Sequence, residues 1–326
     1  MTTSPPAASD APHPSSHNGA STGGPAISVK GLRMRYGSHE AVRGIDLEIA
    51  SGEVFGFLGP NGAGKTTTIE ILEGYRKRSA GEVSVLGTDP GKPTRAWRER
   101  VGLVLQECEL NPVLTVRETL DLFGSFYEHP RRIDEVVALV GLQDKIGARL
   151  GTLSGGQRRR ADVAVALIGD PDLVFLDEPT TGFDPTARRD AWNMIEGLKD
   201  LGKTVFLTTH YMEEAEHLAD RVAILRAGQI VATGAPDELG IGDAGITRLS
   251  FRLPAGVPLD EVRTQVPDKL DVSGNIVTID ASDAQNTLWR LTSWAHGANI
   301  KLEGIEARRP NLEDVFLEVT GENPHA

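Results

Sequence analysis

Eight consecutive residues, Gly59-Pro60-Asn61-Gly62-Ala63-Gly64-Lys65-Thr66, carry the spacing G-x-x-x-x-G-K-[ST], a pattern suited to gripping a run of phosphates. Its glycines let backbone N–H groups turn inward toward an anion, and the positive end of the helix that follows adds to the attraction. In that geometry Lys65 reaches the β- and γ-phosphates, the Thr66 hydroxyl ligates Mg²⁺, and Thr67 stands next in line. The dinucleotide spacing G-x-G-x-x-G is absent, because Thr67 stands where its last glycine would be. A chance glycine-rich turn is the plain alternative. Against it, the apolar run Val54-Phe55-Gly56-Phe57-Leu58 leads into the loop and a helix is expected from near Lys65, the strand–loop–helix setting that the chemistry needs.

A second apolar run, Leu173-Val174-Phe175-Leu176, ends in Asp177-Glu178. Two carboxylates at the C-terminal mouth of a buried strand lie where α/β sheets bind ligands. Asp177 is suited to holding Mg²⁺, directly or through water, and Glu178 to polarising the water that attacks a γ-phosphate. A solvated acidic pair is the alternative, which the upstream loop disfavours. His210 directly follows the strand-like Val205-Phe206-Leu207-Thr208-Thr209, so it projects from the same mouth and could orient charge and water. A lone histidine is more often structural or exposed, and the residues alone leave both readings open. Tyr36, in Met34-Arg35-Tyr36-Gly37, could stack on adenine, worth ~1–3 kcal/mol by analogy with base stacking elsewhere, or be an edge or core tyrosine.

These residues need a sheet to hold them. The continuous apolar runs suit strands covered on both faces, and hence a parallel sheet, within an α/β domain over residues 26–240. Residues 112–170 read mainly helical, as a subdomain inserted into the sheet domain. A glycine-rich break at 240–245 precedes strand-like pieces at 247–253, 276–279 and 300–305 and two helical stretches, the pattern of a small α+β domain over 241–326. Residues 1–25 are rich in Ser, Pro, Ala and Gly and lack both the basic start and the apolar run of a secretion signal, the composition of a disordered tail.

The 326 residues are 39% hydrophobic and 25% charged, with a formal net charge of −12. That acidity argues against nucleic acid or anionic lipid as the main partner. With Cys108 as the one cysteine, an intrachain disulfide, a zinc cage and a Cys-x-x-Cys redox pair are excluded. No stretch approaches the ~18–20 apolar residues of a membrane-spanning helix.

Between the two nucleotide motifs lies Leu153-Ser154-Gly155-Gly156-Gln157, followed by Arg158-Arg159-Arg160 and an apolar helix. This resembles the signature of the ABC ATPases, and the family's other motifs stand in order around it: A-loop Tyr36, Walker A 59–66, Q-loop Gln106, Walker B 173–177 with Glu178, D-loop Gly182-Phe183-Asp184 and switch His210. The resemblance covers residues 27–239. It implies a P-loop NTPase fold of the α/β class, with a mainly parallel core sheet, antiparallel N-terminal strands and an inserted helical subdomain. It further implies ATP and Mg²⁺ as ligands and ATP hydrolysis as the activity, with Gln106 contacting Mg²⁺ and the attacking water and sensing a membrane subunit docked near residues 106–114. Ser154, Gly155, Gly156 and Gln157 are then half of a second anion site. In the family two copies pack head-to-tail, each signature completing the other's ATP site. Phe183 and Thr181 depart from the usual D-loop residues, and tolerance is expected because Asp184 is retained.

The ending Arg308-Arg309-Pro310-Asn311-Leu312-Glu313-Asp314-Val315-Phe316-Leu317 is similar to that of the daunorubicin-resistance type of ABC ATPase. This implies export of a drug-like or other hydrophobic compound through a separate permease, from the cytoplasmic face of the membrane. An importer ATPase shares the motifs. A DNA-repair ATPase of the class would carry a long coiled coil where Lys65 and Ser154 are only 89 positions apart, and a translation factor of the class would carry two cassettes. A non-hydrolysing binding module is disfavoured by the presence of both Lys65 and Glu178.

Overall fold

The computed structural model describes residues 24–105, 109–240, 246–254, 256–266, 268–308 and 311–320. Strands β1 (Ile27–Tyr36) and β2 (His39–Ile49) form an antiparallel hairpin. Next come β3 (Val54–Leu58), α1 (Lys65–Leu72) and β4 (Ala80–Val85), with β4 pairing to the far side of β1. After α2 (Arg95–Glu99) and β5 (Val101–Val104) the chain leaves the sheet for α3 (Val116–Gly124), α4 (Ile133–Leu139) and α5 (Gly155–Leu167). It re-enters as β6 (Leu173–Asp177), α6 (Pro185–Asp200), β7 (Thr204–Thr209), α7 (Met212–Leu218), β8 (Arg221–Arg226), β9 (Gln229–Gly234) and α8 (Pro236–Gly240).

The central sheet runs β5-β6-β7-β3-β8-β9, parallel throughout except for β9. Its middle strands are apolar on both faces because α5 and α6 cover one and the β1, β2 and β4 sheet with α1 covers the other. Every residue of β3 and β7 is buried, as are the first four of β6. Phe206 anchors one face, its ring centroid 6.0 Å from Phe55 and 5.5 Å from both Phe57 and Phe175. Burying each such ring contributes about 1.5–3 kcal/mol. The consequence for function is positional. Neighbouring strands lie about 4.8 Å apart, so the residues leaving the C-terminal ends of β6, β7 and β3 emerge side by side.

The helical excursion is held by its own caps and packing. Thr115 and Glu118 form a reciprocal capping box at the start of α3, and Val116, Leu120, Val136 and Val137 pack with Val163 and Leu167 of α5 in one core.

Strand β10 (Thr247–Arg252), α9 (Leu259–Gln265), β11 (Lys269–Ser273), β12 (Ile276–Ala281), α10 (Ala284–Gly297) and β13 (Glu303–Arg308) build an antiparallel sheet ordered β11-β12-β10-β13. Its core includes Leu249, Phe251, Val262, Ile279 and Leu291. Two expectations shift. The strand expected at 300–305 lies at Glu303–Arg308, and β11, with Lys269 and Asp271 facing water, gave too weak an apolar signal to be seen. The tail at 1–23 and the break at 241–245 lie outside the described residues.

The last helix, α11 (Leu312–Thr320), does not pack with that small sheet's core. Leu312 and Phe316 are buried instead among Leu58, Met212, Ala215, Val222 and Ile224, and the Leu312 amide donates to Glu216 of α7 at 2.7 Å. Arg308 and Arg248 both pair with Asp314, and Arg248 also with Asp280, so the helix is tied to the small sheet as well. Among the described residues no helix is long and apolar enough to cross a membrane.

Candidate active site

The loop leaving β3 is shaped by its glycines, two of which, Gly59 and Gly64, leave no room for a Cβ. Gly64 caps α1 in the left-handed conformation (φ 106°), and a Cβ there would lie 2.5 Å from the carbonyl oxygen of Ala41. Gly62 also has positive φ, 79°, while Ala63 is buried and bonds back to Pro60. Asn61 and Thr66 stay exposed at the loop's mouth. Lys65, the first residue of α1, folds its ammonium onto the loop's own carbonyls, at 2.5 Å from Gly59 and 3.1 Å from Pro60. Burial pushes its pKa down, against the opposing pull of the Glu178 and Asp177 carboxylates. An ammonium held by two neutral carbonyls is suited to exchanging them for a phosphate.

The two carboxylates at the end of β6 are held through one hydroxyl. Thr208 of neighbouring β7 donates its Oγ1 to Asp177 Oδ1 and accepts the Glu178 amide at 3.1 Å. Glu178 takes a left-handed conformation, φ 46°, costly for a residue with a side chain and fixed here by its amide's bonds to Thr208. Its Oε2 accepts the Thr181 hydroxyl at 3.1 Å and faces Nδ1 of His210 at 3.5 Å. Its Oε1 has no partner among the described residues, in a side chain 15% exposed. A carboxylate gripped by one oxygen and open at the other can accept a proton from water.

His210 leaves the end of β7 and stacks against Tyr211 at 4.1 Å, which in turn packs under Arg188 at 4.3 Å. Tyr36 ends β1, 40% exposed, with its hydroxyl 3.4 Å from Thr67 Oγ1 and the Arg76 guanidinium 5.2 Å from its ring centre. Gln106 lies outside the described residues, as does Cys108.

Ser154 and Gln157 cap α5 reciprocally. The Ser154 hydroxyl accepts the Gln157 amide at 3.3 Å, and the Gln157 side chain accepts the Ser154 amide at 3.1 Å. Among the described residues a Cβ at Gly155 would meet nothing within 4 Å, and one at Gly156 only Ala187 at 3.5 Å. Asp184 caps α6 through the Thr186 and Ala187 amides, both at 2.9 Å. Ser154, Gly155, Gly156, Glu178, Thr181 and Asp184 line one cleft of about 900 Å³, to which no described phosphate-loop residue contributes.

The donor set fits Mg²⁺ held jointly with phosphate. Asp177 offers one carboxylate and Thr66 one exposed hydroxyl, and among the described residues no cluster of three metal-binding side chains exists. Mg²⁺ is commonly held by one or two carboxylates, substrate phosphates and water.

With this geometry in view, residues 42–181 match the family described as ABC transporter, and residues 247–311 the one described as ABC transporter domain-containing protein-like, C-terminal domain. The chain is 38% identical over 308 residues to the daunorubicin resistance ATP-binding protein DrrA3 of Streptomyces coeruleorubidus, covering 91% of this chain and 96% of that protein. It belongs to the ABC transporter ATP-binding proteins. This ABC ATPase is also 40% identical over 306 residues to the Nod factor export ATP-binding protein I of Ralstonia nicotianae, covering 91% and 94% of the two chains. Among solved structures, cbiO1 from Clostridium perfringens, part of the ABC transporter complex cbiONQ, aligns with TM-score 0.61 and 27% identity over 67% of this chain and 92% of that one. The dimeric structure of the bacterial ABC transporter cassette MJ0796 aligns with TM-score 0.57 and 26% identity over 64% and 98%. The chain is thus an ATP-binding and ATP-hydrolysing subunit on the expected P-loop fold.

Three residues of this ABC ATPase escaped the sequence reading. Thr181, read only as a tolerated departure, grips the Glu178 carboxylate. Glu73, buried at the end of α1, has its carboxyl pushed up to about 8 by burial and then by the charges of Asp177 and Glu70. Arg159 of α5 donates to the carbonyls of Leu105 and Asp177, the latter at 2.7 Å.

Proposed function

We propose that this chain powers export of a drug-like or other hydrophobic compound through a separate membrane permease, working as a head-to-tail pair on the cytoplasmic face of the membrane. The observation that carries the catalytic part is the Glu178 carboxylate, fixed through Oε2 by Thr181 beside His210 and open at Oε1. Export is supported by the relatives' names, daunorubicin resistance and Nod factor export. The helical excursion exposes Val113, Leu122 and Phe126, apolar side chains suited to cover by a membrane subunit.

In the cycle, Tyr36 stacks on adenine while the backbone amides of residues 61–67 and the Lys65 ammonium surround the phosphates. Lys65 leaves the carbonyls of Gly59 and Pro60 to do so, and its charge counters that building on the leaving β-phosphate. Glu178 Oε1 takes a proton from water as the water oxygen bonds to the γ-phosphorus and the bond from that phosphorus to ADP breaks. His210 orients the γ-phosphate and the water. Asp177, Thr66 and Gln106 would hold Mg²⁺, which would neutralise phosphate charge when bound.

Pairing is supported by Gly155 and the cleft. Among the described residues nothing requires a glycine at 155, and the cleft that Ser154 lines includes no described residue of its own phosphate loop. A capped helix start with open space above it is an anion site awaiting a ligand from outside, here the γ-phosphate on a second copy. Light scattering on the Glu178→Gln variant tests this. ATP with Mg²⁺ should convert monomer to dimer, and a variant that stays monomeric with ATP, even with the permease present, contradicts the paired arrangement.

A further inference from the structure

The guanidinium of Arg159 joins three elements. It projects from the second turn of α5, the helix that Ser154 begins, and donates to the carbonyls of Leu105 and Asp177. These two carbonyls leave the C-terminal ends of β5 and β6, adjacent strands of the central sheet. The ladder between β5 and β6 ends at Val104 and Leu176, and the next carbonyl on each strand, half-buried, takes a donor from Arg159. Arginine's planar fork can serve two acceptors at once, which a lysine cannot do with fixed geometry. The Asp177 whose backbone is held in this way carries, on its side chain, the carboxylate bonded to Thr208.

We propose that Arg159 is a positioning residue that couples the two ATP sites of the pair, by tying the signature helix of each chain to that chain's own Asp177. The proposal rests on the head-to-tail reading above. When Ser154 engages the partner's ATP, α5 shifts or stiffens, and Arg159 passes that change to the strand end that carries the metal-side carboxylate of its own site. Occupation of one site then sets the geometry of the other.

A simpler role is also written in the structure. Asp162, one turn further along α5, is buried with one carboxylate oxygen that has no partner among the described residues. Burial pushes it up to about 6, against the pull of Arg159 and then Arg158. If Arg159 served only to balance that charge, any cation of similar reach would suffice.

Arg159→Lys separates the two roles, because it keeps the charge and loses the fork. Steady-state hydrolysis against ATP concentration is measured for the full chain, Arg159→Lys and Arg159→Met, alongside ATP-driven dimerisation of each in the Glu178→Gln background. The parent should be sigmoidal, with a Hill coefficient approaching about 2, the ceiling for two sites. Both variants should become hyperbolic, near about 1, and turn over roughly tenfold more slowly, while still dimerising. Arg159→Lys keeping the parent's cooperativity overturns the proposal and leaves charge balance, and a hyperbolic parent overturns it too. Dimerisation separates the failures: if Glu178→Gln alone does not pair with ATP, the head-to-tail reading falls first and takes the proposal with it. Should Arg159→Met fail to fold, Arg159→Lys carries the test.

Discussion

Nδ1 of His210 lies 3.5 Å from Oε2 of Glu178, the same oxygen that accepts the Thr181 hydroxyl. The two side chains leave adjacent parallel strands, β7 and β6, so the sheet's register brings together residues 32 positions apart. The contact sets the direction in which Glu178 presents its open oxygen.

His210→Ala should therefore lower turnover by about 10²-fold, the scale of losing one preorganised polar group at a reacting centre. ATP affinity should change little, because the phosphate loop and Tyr36 are untouched. Phosphate-release kinetics together with equilibrium nucleotide binding check the split; equal losses in both would place His210 in binding instead.

Glu73 makes stability depend on pH. Its carboxyl is raised from 4.5 to about 8 in the folded chain, so between those values the folded state holds a proton that the unfolded state releases. Stability contributed by the neutral form is present at low pH and is lost as pH rises through that window, by up to ~1.4 kcal/mol per pH unit. Glu73→Gln, neutral throughout, should flatten the fall in Tm between about pH 5 and 8. Thermal melts of both proteins across that range test this, and parallel curves would contradict it.

Much of the site was legible because its residues are contiguous or directly follow apolar strands. The loop at 59–66, the Asp177-Glu178 pair and His210 each announce themselves by what precedes them. Arg159 did not, since within Arg158-Arg159-Arg160 it reads as one charge on a solvated basic face, and only the pairing of β5 with β6 puts two carbonyls beneath it. Glu73, at a helix end before Gly74, likewise reads as a surface charge until α1 is seen buried against β6 territory around Asp177. In sequence the last helix, at Leu312–Thr320, falls within the stretch that reads as the small α+β domain. Its apolar stripe, Leu312 and Phe316, gives no sign of which core it joins.

That placement yields a stability prediction. Phe316 is buried against Leu58, which leads into the phosphate loop, and against Met212 and Ala215 of α7, which follows His210. Phe316→Ala should destabilise the ATPase by about 3–5 kcal/mol, the cost of removing a buried phenyl ring. Denaturant melts monitored at both the nucleotide site and the small sheet would show the loss at the nucleotide site; a loss confined to the small sheet would contradict the packing.

The account turns on Glu178 as the group that takes the proton from water. Its most direct measure is single-turnover hydrolysis by Glu178→Gln with saturating ATP and Mg²⁺. The amide keeps the shape and cannot accept the proton, so turnover should fall by about 10²- to 10⁴-fold while ATP remains bound. Hydrolysis at the parent's rate would contradict the assignment.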